Sequence, residues 1–79
     1  LHAGMDPQRW HDVFTEAWQA LERAEQGGEP FIDPYALEDP GEFFAVATES
    51  FFESPAHLRQ VLPALYEQLS LFYRQDPAA

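Results

Sequence analysis

The chain has no cysteine and no lysine. Without cysteine there is no disulfide to staple a small domain and no thiolate to hold zinc, and the absence fits a reducing cytoplasm. Without lysine, the only strong cations are Arg9, Arg23, Arg59 and Arg74, set against 14 acidic residues, for a net charge of −10. A nucleic-acid surface needs a basic footprint, and an anionic lipid surface attracts basic segments; this composition excludes both partners. No apolar run approaches the roughly 18 residues of a membrane span, and no signal peptide is visible at the amino end of these residues. There is also no internal repeat, no glycine-rich phosphate loop and no Gly-x-Ser-x-Gly turn for a serine nucleophile. His2, His11 and His57 are scattered, with no pair at i, i+4. No His-Glu-x-x-His is present, so local spacing builds no histidine zinc site, and each histidine reads as solvated.

Seven phenylalanines, three tyrosines and two tryptophans in 79 residues give a short chain its apolar material. A chain of this length buries only about 60% of its unfolded surface, so it forms at most one small domain with a marginal core. The first residue is Leu1, not Met, so the chain is expected to be an engineered piece, a processed form or a proteolytic fragment; a free-standing helical domain and a piece of something larger both fit this composition.

The pattern predicts an all-α chain of three to four helices, each entered through a proline. Asp6-Pro7 is a cap followed by a first-turn proline. Trp10, Val13, Phe14, Ala17, Trp18 and Leu21 then recur at three- and four-residue spacing, and Gly27-Gly28 closes a helix of about 7–26. Residues 29–38 read as a loop with Pro30 and Pro34, containing at most a short extended segment at Phe31-Ile32. Asp39-Pro40-Gly41-Glu42 opens a second helix of about 40–53 with an Asp-x-x-Glu capping box. Its Phe43, Phe44, Val46, Ala47, Phe51 and Phe52 surround most of the circumference and predict burial. Ser54-Pro55 repeats the cap-proline signal for a helix of about 55–62. Pro63 forces a kink or a fresh start, and the last helix runs to about Arg74. Residues 76–79 are expected to fray.

The second helix carries the candidate chemistry. Glu42, Ala45, Val46 and Glu49 share one stripe at i, i+3, i+4 and i+7, so two carboxylates face the same way on a strongly apolar helix. A carboxylate is costly to bury without a partner. Either the stripe faces water, with Glu42 spent in the capping box and Glu49 on the polar edge, or the carboxylates meet a cation.

Asp33-Pro34-Tyr35-Ala36, Pro40-Gly41-Glu42-Phe43-Phe44-Ala45-Val46, Glu49-Ser50-Phe51-Phe52, Pro63-Ala64-Leu65-Tyr66 and Phe72-Tyr73-Arg74-Gln75-Asp76-Pro77 together resemble the carboxyl-terminal part of the Mlc titration factor A family. Those proteins are zinc metallopeptidases with aminopeptidase activity, similar to the lethal-factor-like gluzincins, and they bind the repressor Mlc. The resemblance implies the carboxyl-terminal helical lobe of a cytoplasmic enzyme acting on peptide substrates. It implies that Glu42 is the third zinc ligand and Tyr35, seven residues earlier, the catalytic tyrosine. Glu49 is a further candidate, two turns below Glu42, to orient a zinc-bound histidine by hydrogen bonding. The two histidine ligands and the general base of that family are expected upstream of Leu1. The 79 residues alone are therefore expected to be inactive and to hold no metal tightly. An alternative is an acidic helical module that binds a transcriptional repressor through its aromatic surface.

Overall fold

The computed structural model describes residues 1–79. It is all-α: α1 (Pro7–Gln26), a 3₁₀ turn (Pro34–Glu38), α2 (Pro40–Glu53), α3 (Pro55–Val61) and α4 (Pro63–Tyr73). Every element begins with proline, whose missing N–H costs nothing in a first turn. The caps differ in what they do. Asp6 Oδ1 accepts from Gln8 N at 2.9 Å, Asp33 Oδ1 from Tyr35 N at 3.0 Å, and Asp39 Oδ1 from Glu42 N at 2.9 Å. Ser54, expected to cap α3 in the same way, makes no side-chain cap bond. It is shared between helices, with its own N–H tied back to Ser50 O as the end of α2. Leu62 likewise closes α3 and precedes α4, so Pro63 marks a fresh start.

Two chain ends of helices rest on left-handed residues. Glu29 N donates to Ala24 O and Gly28 N to Glu25 O, the double bond pattern that terminates α1. Gly28 has φ of 78°, which a side chain would resist. Arg74 takes φ 55° after α4, where its N–H and that of Gln75 both return to Ser70 O.

The core is the meeting of one stripe from each helix. Val13, Ala17 and Leu21 of α1, Phe43, Ala47 and Phe51 of α2, Leu58 of α3, and Leu65, Tyr66 and Leu69 of α4 are buried together with Ile32 and Ala36 from the intervening segment. Aromatic pairs connect the helices. Phe43 lies 5.6 Å from Trp18 and 6.0 Å from Phe14 across the α1–α2 seam, and Phe51 lies 5.2 Å from Tyr66 across the α2–α4 seam. The shortest molecular dimension is 17 Å, the depth of about two packed helices. No third layer exists, so each helix keeps one face uncovered.

That geometry corrects three expectations. Helix α2 is less buried than its apolar circumference predicts: Phe52 is exposed, and Phe44 and Val46 are only half-buried. No extended segment forms at Phe31-Ile32, which is a bend. Residues 76–79 do not fray. The Tyr66 hydroxyl donates to the Asp76 carboxylate and accepts from Ala78 N at 2.9 Å, and Ala78 packs against the core. A buried tyrosine needs a partner for its hydroxyl, and here the tail supplies it.

Candidate functional site

Tyr35 and Glu42 stand on two adjacent elements joined by one residue. Asp39 ends the 3₁₀ turn and caps α2, in a fully extended conformation with φ −166° and ψ 168°. Because the turn packs on both α2 and α1, with Ala36 fully buried beneath it, the two side chains are carried on one body. Gly41 protects this joint. A Cβ there would come within 3.2 Å of Asp39 Oδ1, crowding the oxygen that holds Glu42 N.

The capping box is half-formed. Asp39 receives the Glu42 amide, but the Glu42 carboxylate makes no hydrogen bond in return. It is half-buried in the first turn of α2, where the helix dipole favours a negative charge. A carboxylate in that position has unused acceptor capacity for a cation or a donor. Tyr35 is the counterpart on the turn: its side chain is 55% exposed, and its phenol has no partner within the chain. Its backbone is set by Asp33, whose side-chain oxygen takes Tyr35 N and whose carbonyl takes Ala36 N at 3.1 Å. Glu49 is exposed, two turns along α2, and no hydrogen bond links it to either residue.

No three His, Cys, Asp or Glu side chains of the chain converge on a point that would hold a metal ion. The donor set here amounts to one carboxylate. A catalytic zinc takes three protein ligands and keeps one position open, so these residues do not make a zinc site by themselves and fit only as part of a larger one.

Two histidines read from the sequence as solvated are solvent-accessible and each also makes a hydrogen bond. His2 Nε2 donates to Leu71 O at 2.8 Å, tying the start of the chain to α4. His57 Nε2, on α3, donates to Phe31 O at 2.7 Å. Carbonyls only accept, so the proton is on Nε2 in both. No local signal exposes these contacts, because the partners lie 69 and 26 residues away. Elsewhere, a groove of about 440 Å³ runs between α1 and the start of α2, lined by Phe14, Trp18, Pro40 and Phe43 with His11 and Glu22 at its edge. No helix is long and apolar enough to cross a membrane.

Residues 1–74 match the family described as glucose-regulated metallo-peptidase M90. Among characterised sequences, the chain is similar to the protein named Mlc titration factor A in Pectobacterium atrosepticum. The two are 44% identical over 73 residues, covering 89% of the chain and 28% of that relative. The protein of the same name in Serratia proteamaculans is 38% identical over 71 residues, 87% of the chain and 27% of the relative. That of Klebsiella pneumoniae is 50% identical over 48 residues, 61% of the chain and 18% of the relative. The chain thus spans about a quarter of the length of the first two. No solved structure matches.

Proposed function

The chain belongs to the glucose-regulated metallo-peptidase M90 family, and from that premise we propose that it is the carboxyl-terminal helical part of a zinc-dependent, aminopeptidase-like enzyme of the cytoplasm that acts on short peptides. In this reading Glu42 is one metal ligand and Tyr35 is a catalytic residue. The observation that carries it is the unreturned capping box: a carboxylate in the first turn of an aromatic helix, left without an internal partner, beside a 3₁₀ turn that presents an unbonded phenol. The remaining ligands and the general base come from a His-Glu-x-x-His helix in the larger protein, and the 79 residues alone are inactive.

Zinc, when bound, brings the pKa of its water toward about 7 and polarises a substrate carbonyl. The chain's own residues then have distinct tasks. Glu42 supplies one anionic oxygen donor and holds its position through the rigidity of the first turn of α2. The Tyr35 O–H donates a hydrogen bond to the substrate oxygen that gains negative charge, which stabilises the transition state more than the ground state. Glu49 accepts the free N–H of a ligand histidine and so sets its orientation.

Tyr35→Phe removes one donor and nothing else, since the phenol has no partner within the chain. In the full-length protein this substitution is expected to lower kcat by about 100-fold or more, the usual cost of losing one oxyanion donor, with KM little changed. A rate equal to wild type rules out the tyrosine's role.

A second reading is supported by the uncovered faces and by the name the relatives carry. Phe52 and Leu71 are 44% and 45% exposed on a strongly acidic chain, a surface suited to a protein partner such as a repressor of the Mlc type. The isolated chain is expected to be retained by such a repressor in a pull-down, and Phe52→Asp to release it. Retention that requires the rest of the enzyme assigns the contact to another part of the protein.

A further inference from the structure

We infer that His57 is a positioning residue for Tyr35, holding the segment that carries it through the Phe31 carbonyl. This rests on the proposed role of Tyr35. The stretch from Pro30 to Asp33 is weakly tied to the rest of the chain. Pro30 and the following Pro34 flank its bend, Pro30 has no N–H to give, and none of its amides donates to a backbone carbonyl. The Asp33 bonds to Tyr35 N and Ala36 N are internal to the turn and set its shape, not its orientation on the body. Two things cross to the body of the molecule. One is apolar: Ile32 and Ala36 are 8% and 0% exposed, and Phe31 and Leu37 pack against the core beside them. The other is the 2.7 Å hydrogen bond from His57 Nε2 to Phe31 O.

Apolar packing is non-directional and sets depth better than it sets rotation. The hydrogen bond is directional and supplies what packing does not. It is well founded at its other end, because His57 immediately precedes Leu58, which is fully buried and pins α3 to the core. Orientation matters here because Tyr35 is 55% exposed. No hydrogen bond within the chain fixes its hydroxyl, so the phenol's place depends on the backbone beneath it. A small displacement of a reacting group costs up to about 100-fold in rate, which makes a single bond at this point consequential.

The test uses the full-length protein with His57→Ala, His57→Gln, Tyr35→Phe and the His57→Ala/Tyr35→Phe pair, read by peptide hydrolysis and by deuterium uptake of the Phe31 to Leu37 amides. His57→Ala is expected to lower kcat about tenfold at nearly constant KM and to raise uptake across the turn. His57→Gln, which offers an amide N–H at comparable reach, restores most of both. With Tyr35 already replaced, His57→Ala costs less than about twofold more, since the two act as one unit. A full tenfold loss in that background overturns the positioning role, because the histidine then acts through something other than Tyr35. A wild-type rate for His57→Ala beside a slow Tyr35→Phe overturns it and leaves the tyrosine's role standing. A wild-type rate for Tyr35→Phe removes that role instead. Unchanged uptake in His57→Ala shows that the bond does not hold the turn at all.

Discussion

Glu42→Ala in the full-length protein is expected to strip the metal and to cut peptide hydrolysis by more than the roughly 100-fold that loss of a merely supporting residue costs. With three protein ligands the metal keeps one position for water; with two, affinity and geometry fail together. The fold is expected to tolerate the change. The Asp39 cap bonds the Glu42 backbone amide, which alanine retains, and the side chain is only half-buried. What is lost from stability is the favourable placement of a negative charge in a first helical turn, about 0.3–1 kcal/mol, partly offset by the higher helix propensity of alanine. The result is therefore separable into metal content by elemental analysis and melting temperature by circular dichroism: the first falls to near zero while the second barely moves. A variant that keeps stoichiometric zinc and full rate would falsify the ligand assignment, and one that simply unfolds would show Glu42 to be structural.

Phe51→Ala carries the largest expected effect on stability. Phe51 is fully buried, with ring centroids 5.0 Å from Phe52, 5.2 Å from Tyr66 and 5.8 Å from Tyr73. Truncating a buried phenylalanine costs about 3–5 kcal/mol, through lost transfer energy and a cavity that collapses incompletely. At about 0.05–0.15 kcal/mol of net stability per residue, a chain of this size has little to spare. Phe51→Ala is thus expected to leave the 79-residue chain largely unfolded at 25 °C in the absence of any stabilising partner. Phe52→Ala, one position along and 44% exposed, loses mainly its edge contacts with Phe51 and Tyr73, about 1 kcal/mol. Urea titration followed by far-ultraviolet circular dichroism reads the contrast. Equal costs at the two positions would show that the α2–α4 seam is not the core of the fold.

Both predictions draw on how the chain punctuates itself. The starts at Pro7, Pro40, Pro55 and Pro63 were legible because proline and the residue before it restrict backbone angles locally, whatever the rest of the chain does. The apolar stripe of α1 was legible for the same reason of locality: Val13, Ala17 and Leu21 recur at helical spacing and are the residues buried. Spacing alone also placed Tyr35 and Glu42 on either side of a helix entry. It left open whether the Glu42 carboxylate was spent on the capping box, since a box in sequence and a half-box in space have the same residues.

Other features were not legible. Ser54 has the same cap-proline signature as Asp39, yet it makes no cap bond, because it must also end α2. The tail was expected to fray as a chain end, but the Tyr66 hydroxyl holds Asp76 and Ala78 from 10 and 12 residues away. The histidines showed no pattern because their acceptors are backbone carbonyls, which every residue has.

From its residues alone, then, the chain determined its helix boundaries, its acidic surface, its lack of disulfides and of a histidine zinc motif, and the order of tyrosine and carboxylate along the chain; all are properties of neighbours in sequence. Tertiary structure decided which face of α2 is covered, which polar groups are spent and which left unbonded, and what holds the turn beneath Tyr35. The physical reason is that burial and hydrogen-bond pairing depend on distances between residues far apart in the chain, and in a molecule only 17 Å deep each helix has one covered face, chosen by its neighbours in space.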